Sequence, residues 1–279
     1  MNELRRDYPL EVLLNIAKLS RSTYYYNLKN LGKPDKYLVV KQDISRIFHE
    51  NKGRYGYRRI TIELNKSGNN INHKTVSKLM KQLNIVCQVR IKKYKSYKGN
   101  IGKIAPNLLN RDFSATKHVQ KWVTDITEFS LHGKKLYLSP ILDLYNREII
   151  SYTISERPTF KQVTTMLEEA FEKNNSLEGL ILHSDQGWQY QMRGYQQRLK
   201  EKGIAQSMSR KGNCLDNSII ENFFGLLKSE LFYLQDFKSV EHFKEELVKY
   251  IYWYNNKRIK SNLKGLSPVE FRTQSFIVA

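Results

Sequence analysis

"QKWVTDITEFSLHGKKLYLSPILDLYNREIISYTISE" occupies residues 120–156 and decides the reading of the fold. Three runs within it, 120–131, 134–146 and 147–156, are rich in β-branched and aromatic residues and are separated by short turn signals. Such runs predict three strands in a meander. Downstream, the pattern alternates. A helical period over 159–174 leads to an apolar strand, "LEGLILHSD" (177–185), and a helix near 192–202 leads to a short strand, "IAQSMS" (204–209). Two more helices follow, "DNSIIENFFGLLKSEL" (216–231) and 239–256, before a C-terminal tail. A meander followed by strand–helix alternation predicts an α/β fold: a mixed five-stranded sheet with flanking helices.

Upstream of residue 120 the chain reads differently. Residues 9–30, "PLEVLLNIAKLSRSTYYYNLKN", pair an apolar helical period with a short turn into a second helix that Ser20 or Ser22 can cap. This fits a helix-turn-helix unit or a plain helical hairpin equally well. Helices are expected over 38–50 and 72–84, the latter capped by Asn72 with Val76, Leu79, Met80 and Leu83 in the core. "RYGYRR" (54–59) interleaves aromatic rings with guanidinium groups, a composition suited to phosphate contact and stacking, with a solvated helix entry as the alternative. The aperiodic, basic stretch 90–121 reads as a linker. The expected organisation is therefore a small all-α, helix-turn-helix-like DNA-binding region (1–90), a basic linker (91–119), a catalytic core (120–235) and a C-terminal helix and tail packed on that core (236–279).

Charge is segregated in the same way. Residues 1–121 hold 26 Lys and Arg against 8 Asp and Glu, a net of +18, whereas the remainder is close to neutral at +2. A basic arm on a neutral body points to a polyanion, with nucleic acid favoured because no amphipathic anchor argues for a membrane. No signal-peptide run and no long apolar span is present, so a cytoplasmic, nucleoid-associated protein is expected. Cys87 and Cys214 stand far apart and support neither a disulfide framework nor a zinc site.

Three carboxylates sit where the pattern makes them costly. Asp125 interrupts a strand between Val123 and Ile126, Asp185 ends an apolar strand, and Glu221 lies in a greasy helix. At about 100° per residue, Ile220, Phe224, Leu227 and Leu231 mark the buried arc of that helix, and Lys228 falls only about 20° from Glu221. Gly225 lies beside them, where a missing side chain lets a bulky ligand come close. Asp216, just before the helix, reads as its cap. Asp143 and Glu128 read as ordinary turn or surface residues. Three carboxylates on separate elements suit hard divalent cations, and two such ions can serve phosphodiester displacement.

At this point "WVTDITEF", "LHSDQGWQY" and "NSIIENFFGLLKSE" resemble the three catalytic blocks of bacterial insertion-sequence transposases in the retroviral-integrase-like superfamily. The interval of 35 residues between Asp185 and Glu221 is the one that names the superfamily's D-D-35-E pattern, and Lys228 matches its basic residue. "GRYGYRRI", "INHKTVSKLM", "RDFSATKHVQKW", "SRKGNCLDNSIIENFF" and "YNNKRIKSNLKGLSPVEF" extend the likeness over nearly the whole chain, closest to the second-reading-frame (OrfB) type. The resemblance implies a ribonuclease-H-like core with catalytic and metal-binding Asp125, Asp185 and Glu221. It also implies Mg²⁺ or Mn²⁺, two ions, nicking at element ends and joining by the freed 3′ hydroxyl. Lys228, Arg58, Arg59, Lys74, Arg210 and Lys211 are the expected DNA contacts. DNA, as transposon ends and target, is the expected partner, with a homo-oligomer assembled on it and an upstream-frame (OrfA) protein. The start at Met1 without sustained heptads fits a separate downstream product. Lys260 departs from the tail pattern, where a His is common. Two other readings are a non-catalytic DNA-binding accessory chain that needs the upstream partner, and a different nuclease on the same fold.

Overall fold

The computed structural model describes residues 3–30, 35–88, 104–174 and 176–277. Residues 91–103 of the expected linker and the side chain of Cys214 lie outside the described part. The chain opens with α1 (Leu10–Ala17) and α2 (Arg21–Asn30), joined through a left-handed turn at Lys18 (φ 50°). Ser20 caps α2 by accepting the Thr23 amide at 3.2 Å. Three further helices, α3 (Leu38–Glu50), α4 (Tyr57–Lys66) and α5 (His73–Gln82), pack around Ile44, Ile47, Ile60, Leu64, Val76 and Leu79. Asn72 caps α5, its side chain accepting the Lys74 amide at 2.8 Å. Ile259 and Trp253, nearly two hundred residues onward, complete this cluster.

The predicted meander forms with one interruption. The first run is split into β1 (Lys121–Thr124) and β2 (Thr127–Leu131) at Asp125, whose Oδ1 accepts the Ile126 amide at 2.7 Å. A short carboxylate that bonds its own neighbouring backbone competes with the sheet ladder, which accounts for the break. β3 (Lys134–Asp143) is long enough to pair with both pieces, with β2 from Leu131↔Lys134 to Thr127↔Leu138 and with β1 from Thr124↔Ile141 to Trp122↔Asp143. The turn into β3 uses His132 and Gly133, both at positive φ (49° and 73°), as a two-residue hairpin requires. β4 (Ile149–Ser155) pairs antiparallel with β3, while β5 (Ile181–Ser184) and β6 (Ala205–Met208) run parallel to β1. Six strands thus stand in five ranks, β4, β3, β1 with β2 in line, β5 and β6. Three antiparallel ranks followed by two parallel ones make a ribonuclease-H-like sheet.

Alternation within β1 serves both faces. Trp122 turns toward α6 (Phe160–Glu172) and α7 (Arg193–Glu201), joining Ile141, Met166, Leu182 and Leu199. Val123 turns the other way, toward α8 (Ser218–Leu227) and α9 (Val240–Asn256), joining Phe129, Phe223, Leu227, Phe243 and Leu247. α10 (Pro268–Ile277) closes the described chain. Among the described residues, no helix is long and apolar enough to cross a membrane. Asp143 corrects the sequence reading: it is wholly buried, accepting the Trp122 indole (2.9 Å) and the Val119 and Tyr145 amides (2.8 and 2.7 Å). A carboxylate can be buried when donors surround it, and two of these, Trp122 and Val119, lie more than twenty residues away, beyond the local pattern.

Candidate active site

The parallel register places two of the three carboxylates. Trp122 pairs with Leu182 and Val123 with His183, so two residues further along the same register stand Asp125 and Asp185. Both lie at the carboxyl ends of neighbouring strands, which are about 4.8 Å apart. Asp185 is pinned by a local turn in which its Oδ1 accepts the Gly187 amide at 2.8 Å. A Cβ on Gly187 would stand 2.9 Å from that same oxygen, so the turn needs glycine for close approach rather than for an unusual φ.

Glu221 comes from α8, whose Ile220, Phe223, Phe224 and Leu227 are buried against the sheet. Glu221 itself is half-buried on the rim of that face, where the helical wheel put it. The side-chain Nδ2 of Asn217 donates to the Thr124 carbonyl at 3.4 Å, holding the start of α8 over the end of β1.

Electrostatics tie the three acids together. Burial, then Asp185, then Glu221 push the Asp125 carboxyl well above its ordinary range. Burial raises Asp185, and burial followed by Asp185 raises Glu221. Lys228 stands on the β2 flank with its ammonium 5.5 Å from the Phe129 ring centroid. Burial lowers its pKa against the pull of Glu128 and Asp125. Tyr190, not singled out in the sequence, is fully buried beside both aspartates; burial and their charges hold its phenol up.

These residues fit divalent metal by donor chemistry. Three carboxylates, raised by burial and, at Asp125 and Glu221, by a neighbouring carboxylate, and with no ion pair within 4 Å among the described residues, form an anionic pocket that a hard cation would neutralise. As the side chains stand, no three His, Cys, Asp or Glu among the described residues converge on one point. The Asp125 and Asp185 oxygens bonded to backbone amides would have to turn to coordinate.

The expected DNA contacts divide into three groups. Arg210 and Lys211 follow β6 at the same edge of the sheet as Asp125 and Asp185. Arg210 is held by Asp216, with Nε to Oδ2 and Nη2 to Oδ1 both at 2.9 Å. Asp216 therefore does not cap α8 as read from sequence: it is a buried anchor that also binds Arg111 (2.9 Å) and Asn107 (3.0 Å). Those donors hold its carboxyl far below the usual range, led by Arg210. Arg58 and Lys74 lie exposed on the helical region, away from the carboxylates. Arg59 is partly exposed and also lies 3.6 Å from the buried Glu230 and 5.5 Å from the Tyr55 ring. Arg54 and Tyr55 of the same run are buried. "RYGYRR" is thus chiefly a packing element, and its partners lie too far along the chain for the local composition to show. Lys260, where the tail pattern departs, bonds the Tyr254 hydroxyl at 2.6 Å.

Residues 115–214 and 221–276 match integrase core domain families, and residues 35–93 match an HTH-like domain family. The InsK protein of insertion sequence element IS150 from Escherichia coli K12 is 56% identical over 277 residues, 99% of this chain and 98% of that protein. The transposase for insertion sequence element IS904 of Lactococcus lactis is 37% identical over 84% of this chain and 93% of its own length. Among solved structures, the HTLV-2 integrase catalytic core domain in complex with magnesium overlays 57% of this chain and 99% of its own, with a TM-score of 0.44 and 14% identity. Identity of this extent over almost the full length settles kinship: the chain belongs to the insertion-sequence transposases, with an integrase core following an HTH-like domain.

Proposed function

We propose that this chain is the catalytic subunit of a DNA transposase whose active site is Asp125, Asp185 and Glu221. The observation that carries the reading is their burial together: two aspartates in register at the ends of parallel strands, a glutamate on the overlying helix, and mutual repulsion without a neutralising partner. Asp125, Asp185 and Glu221 would hold one or two Mg²⁺ or Mn²⁺ ions, which supply Lewis acidity to the attacking and leaving oxygens.

The chain's own groups do the positioning. Lys228, half-buried beside Asp125, sets a cation against the scissile phosphate, and Arg210 and Lys211 hold the strand along the same sheet edge. In the first reaction a water oxygen bonds to phosphorus at the element end; the P–O3′ bond breaks and the 3′ oxygen takes up a proton. In the second, that 3′ hydroxyl loses its proton as its oxygen attacks a target phosphodiester, and the target's P–O3′ bond breaks. Neither step needs a covalent bond to protein. The exposed cations of the helical region, Arg58 and Lys74 among them, bind DNA in the cytoplasm, with further copies of the chain and an upstream-frame protein completing the assembly on the ends.

The test is labelled linear DNA carrying candidate element ends, incubated with the chain in Mg²⁺ or Mn²⁺ beside Glu221→Gln. Metal-dependent nicking or joining that disappears in the variant supports the assignment. DNA binding that is sensitive to salt, without any reaction, would replace it with the accessory reading.

A further inference from the structure

The helical region is not merely tethered to the catalytic core; it is fastened to the helix that bears Glu221 and Lys228. α8 runs without a break into a π-helical turn, Lys228–Phe232, closed by the Tyr233 amide on the Lys228 carbonyl at 2.9 Å. Glu230 sits in that turn, 1% exposed, on the side away from solvent. Its carboxylate accepts the Arg258 guanidinium twice (2.8 and 2.6 Å) and the Tyr250 hydroxyl (2.9 Å). The helical region enters the same knot from the other side. Arg54 donates Nε to the Glu230 backbone carbonyl at 2.8 Å and lies over the Trp253 ring at 4.7 Å; Arg59 approaches the Glu230 carboxylate at 3.6 Å.

Further contacts make the junction a clamp. The Tyr55 hydroxyl bridges the Lys257 carbonyl and the Ile259 amide, both at 3.1 Å, while Trp253 donates to Asn51 (3.2 Å) and Lys52 pairs with Glu246 (2.9 Å). Arg58, Lys74 and Lys78 of the same region are exposed and take no part in the junction. The contacts across the junction link the elements that carry these cations to the segment that continues α8. Glu230 lies nine positions after Glu221, so the rod between the acid and the clamp is roughly 13 Å long at helical rise.

We infer that the clamp of Arg54, Arg59 and Tyr55 on Glu230 and the Arg258 segment is a ruler, which sets the distance between the bound element-end sequence and the phosphodiester that is cut. The inference rests on the transposase reading above and goes beyond it. Arg54, Arg59 and Glu230 are positioning residues on this account: none touches the reacting atoms, and each acts through the placement of α8 relative to the DNA held by α4 and α5.

The test maps nick positions to single nucleotides on a labelled element end, using the full chain in Mg²⁺ or Mn²⁺. The unmodified protein cuts at one phosphodiester. Arg54→Met/Arg59→Met, which replaces no member of the three hydrophobic clusters and keeps Glu230 and Arg258, shifts nicks to neighbouring positions. Slack of roughly 3–7 Å spans one or two nucleotides along a strand. Loss of a charge-assisted hydrogen bond raises the displaced share about tenfold. Tyr55→Phe, which removes one hydroxyl, moves the pattern in the same direction and serves if the double variant fails to melt cooperatively. A metal-free footprint gives a second reading: its edge nearest the cut blurs in the variants while total DNA affinity stays within about twofold. Nicks that remain at one position in the clamp variants, at whatever rate, overturn the ruler, as does an unmodified chain that cuts at scattered positions. Absence of any metal-dependent nicking by the unmodified chain overturns the functional reading instead.

Discussion

Replacing Asp125 with Asn should strengthen the metal-free fold while removing activity. In the extended register Asp125 and Asp185 occupy adjacent parallel strands. At a strand spacing of about 4.8 Å and an effective dielectric constant of about 20, two full charges repel by about 3 kcal/mol. Solvent and proton uptake remove part of this, leaving an expected gain of about 1–2 kcal/mol for the variant at pH 8. The pH dependence gives the sign independently. Burial and its acidic neighbours raise the Asp125 carboxyl in the folded state, so the folded chain keeps a proton that the unfolded chain releases near pH 4. Stability of the parent therefore falls as pH rises from about 4 through the folded value, whereas the amide has no proton to lose and contributes no such slope. Urea unfolding in EDTA at pH 4.5 and pH 8 measures both: near-equal stabilities at the lower pH, and a more stable variant at the higher. Adding Mg²⁺ at pH 8 should reverse the order, because a ligand at about 100 times its Kd stabilises the parent by about 2.7 kcal/mol and the variant by much less. A variant that is less stable than the parent at pH 8 would show that the carboxylates do not share one site, and would refute the argument.

Three other outcomes follow from the same geometry. Lys228→Met should lower the slope of log affinity against log salt by about 1 and reduce cleavage more than binding, as measured by titrations at several salt concentrations alongside nicking rates. Glu230→Gln strands the 2%-exposed Arg258 without its anion and should cost about 3–5 kcal/mol, whereas Glu230→Leu/Arg258→Met should cost clearly less; chemical denaturation of the two variants decides it. His183 is fully buried between the Ser207 and Ser209 hydroxyls (2.8 and 3.2 Å), and burial depresses its pKa to about 4. Because the unfolded imidazole takes up a proton near 6.5, the parent should lose stability as pH falls from about 6.5 toward 4, and His183→Gln should lack that loss in thermal melts across this range.

How far the sequence could be read depended on how far apart the deciding contacts lie. Helices 38–50 and 239–256, the His132–Gly133 hairpin and the Asn72 cap rest on periodicity and local turn chemistry, and each appears within a residue or so of its expected limits. Glu221 at the rim of a buried face followed from about 100° per residue alone. Its grouping with Asp125 and Asp185 needed either the family likeness or the β1–β5 register, because nothing local joins residues 125, 185 and 221. Contacts across long stretches of chain were out of reach. Asp216 looked like a cap because caps are local, yet beside Arg210 its partners include Asn107 and Arg111, more than a hundred residues upstream. Within the 54–59 run, Arg54 and Arg59 meet Glu230, more than 170 residues downstream, which no local pattern shows. The break at Asp125 was within reach of local reasoning: a residue that disfavours strands and bonds its own backbone stood in the middle of one.

The two kinds of charge in this molecule carry different physics, and the fold keeps them apart. The chain carries a net charge of +20, and among the described residues most Lys and Arg are exposed, so their attraction for DNA works at long range and fades with salt. The three carboxylates are recessed among buried side chains, where screening is weak and their mutual repulsion persists at any ionic strength. An anionic pocket of that kind disfavours a phosphodiester until cations occupy it, so under the proposed function the surface that recruits DNA and the carboxylate site answer to separate conditions. What joins them is mostly buried: at the clamp, Glu230 is matched by Arg258, and Arg54 rests on a carbonyl and an aromatic face. Charges that are buried and paired are screened far less than exposed ones, so such a junction can hold the two parts in register while salt or metal changes the binding at either one.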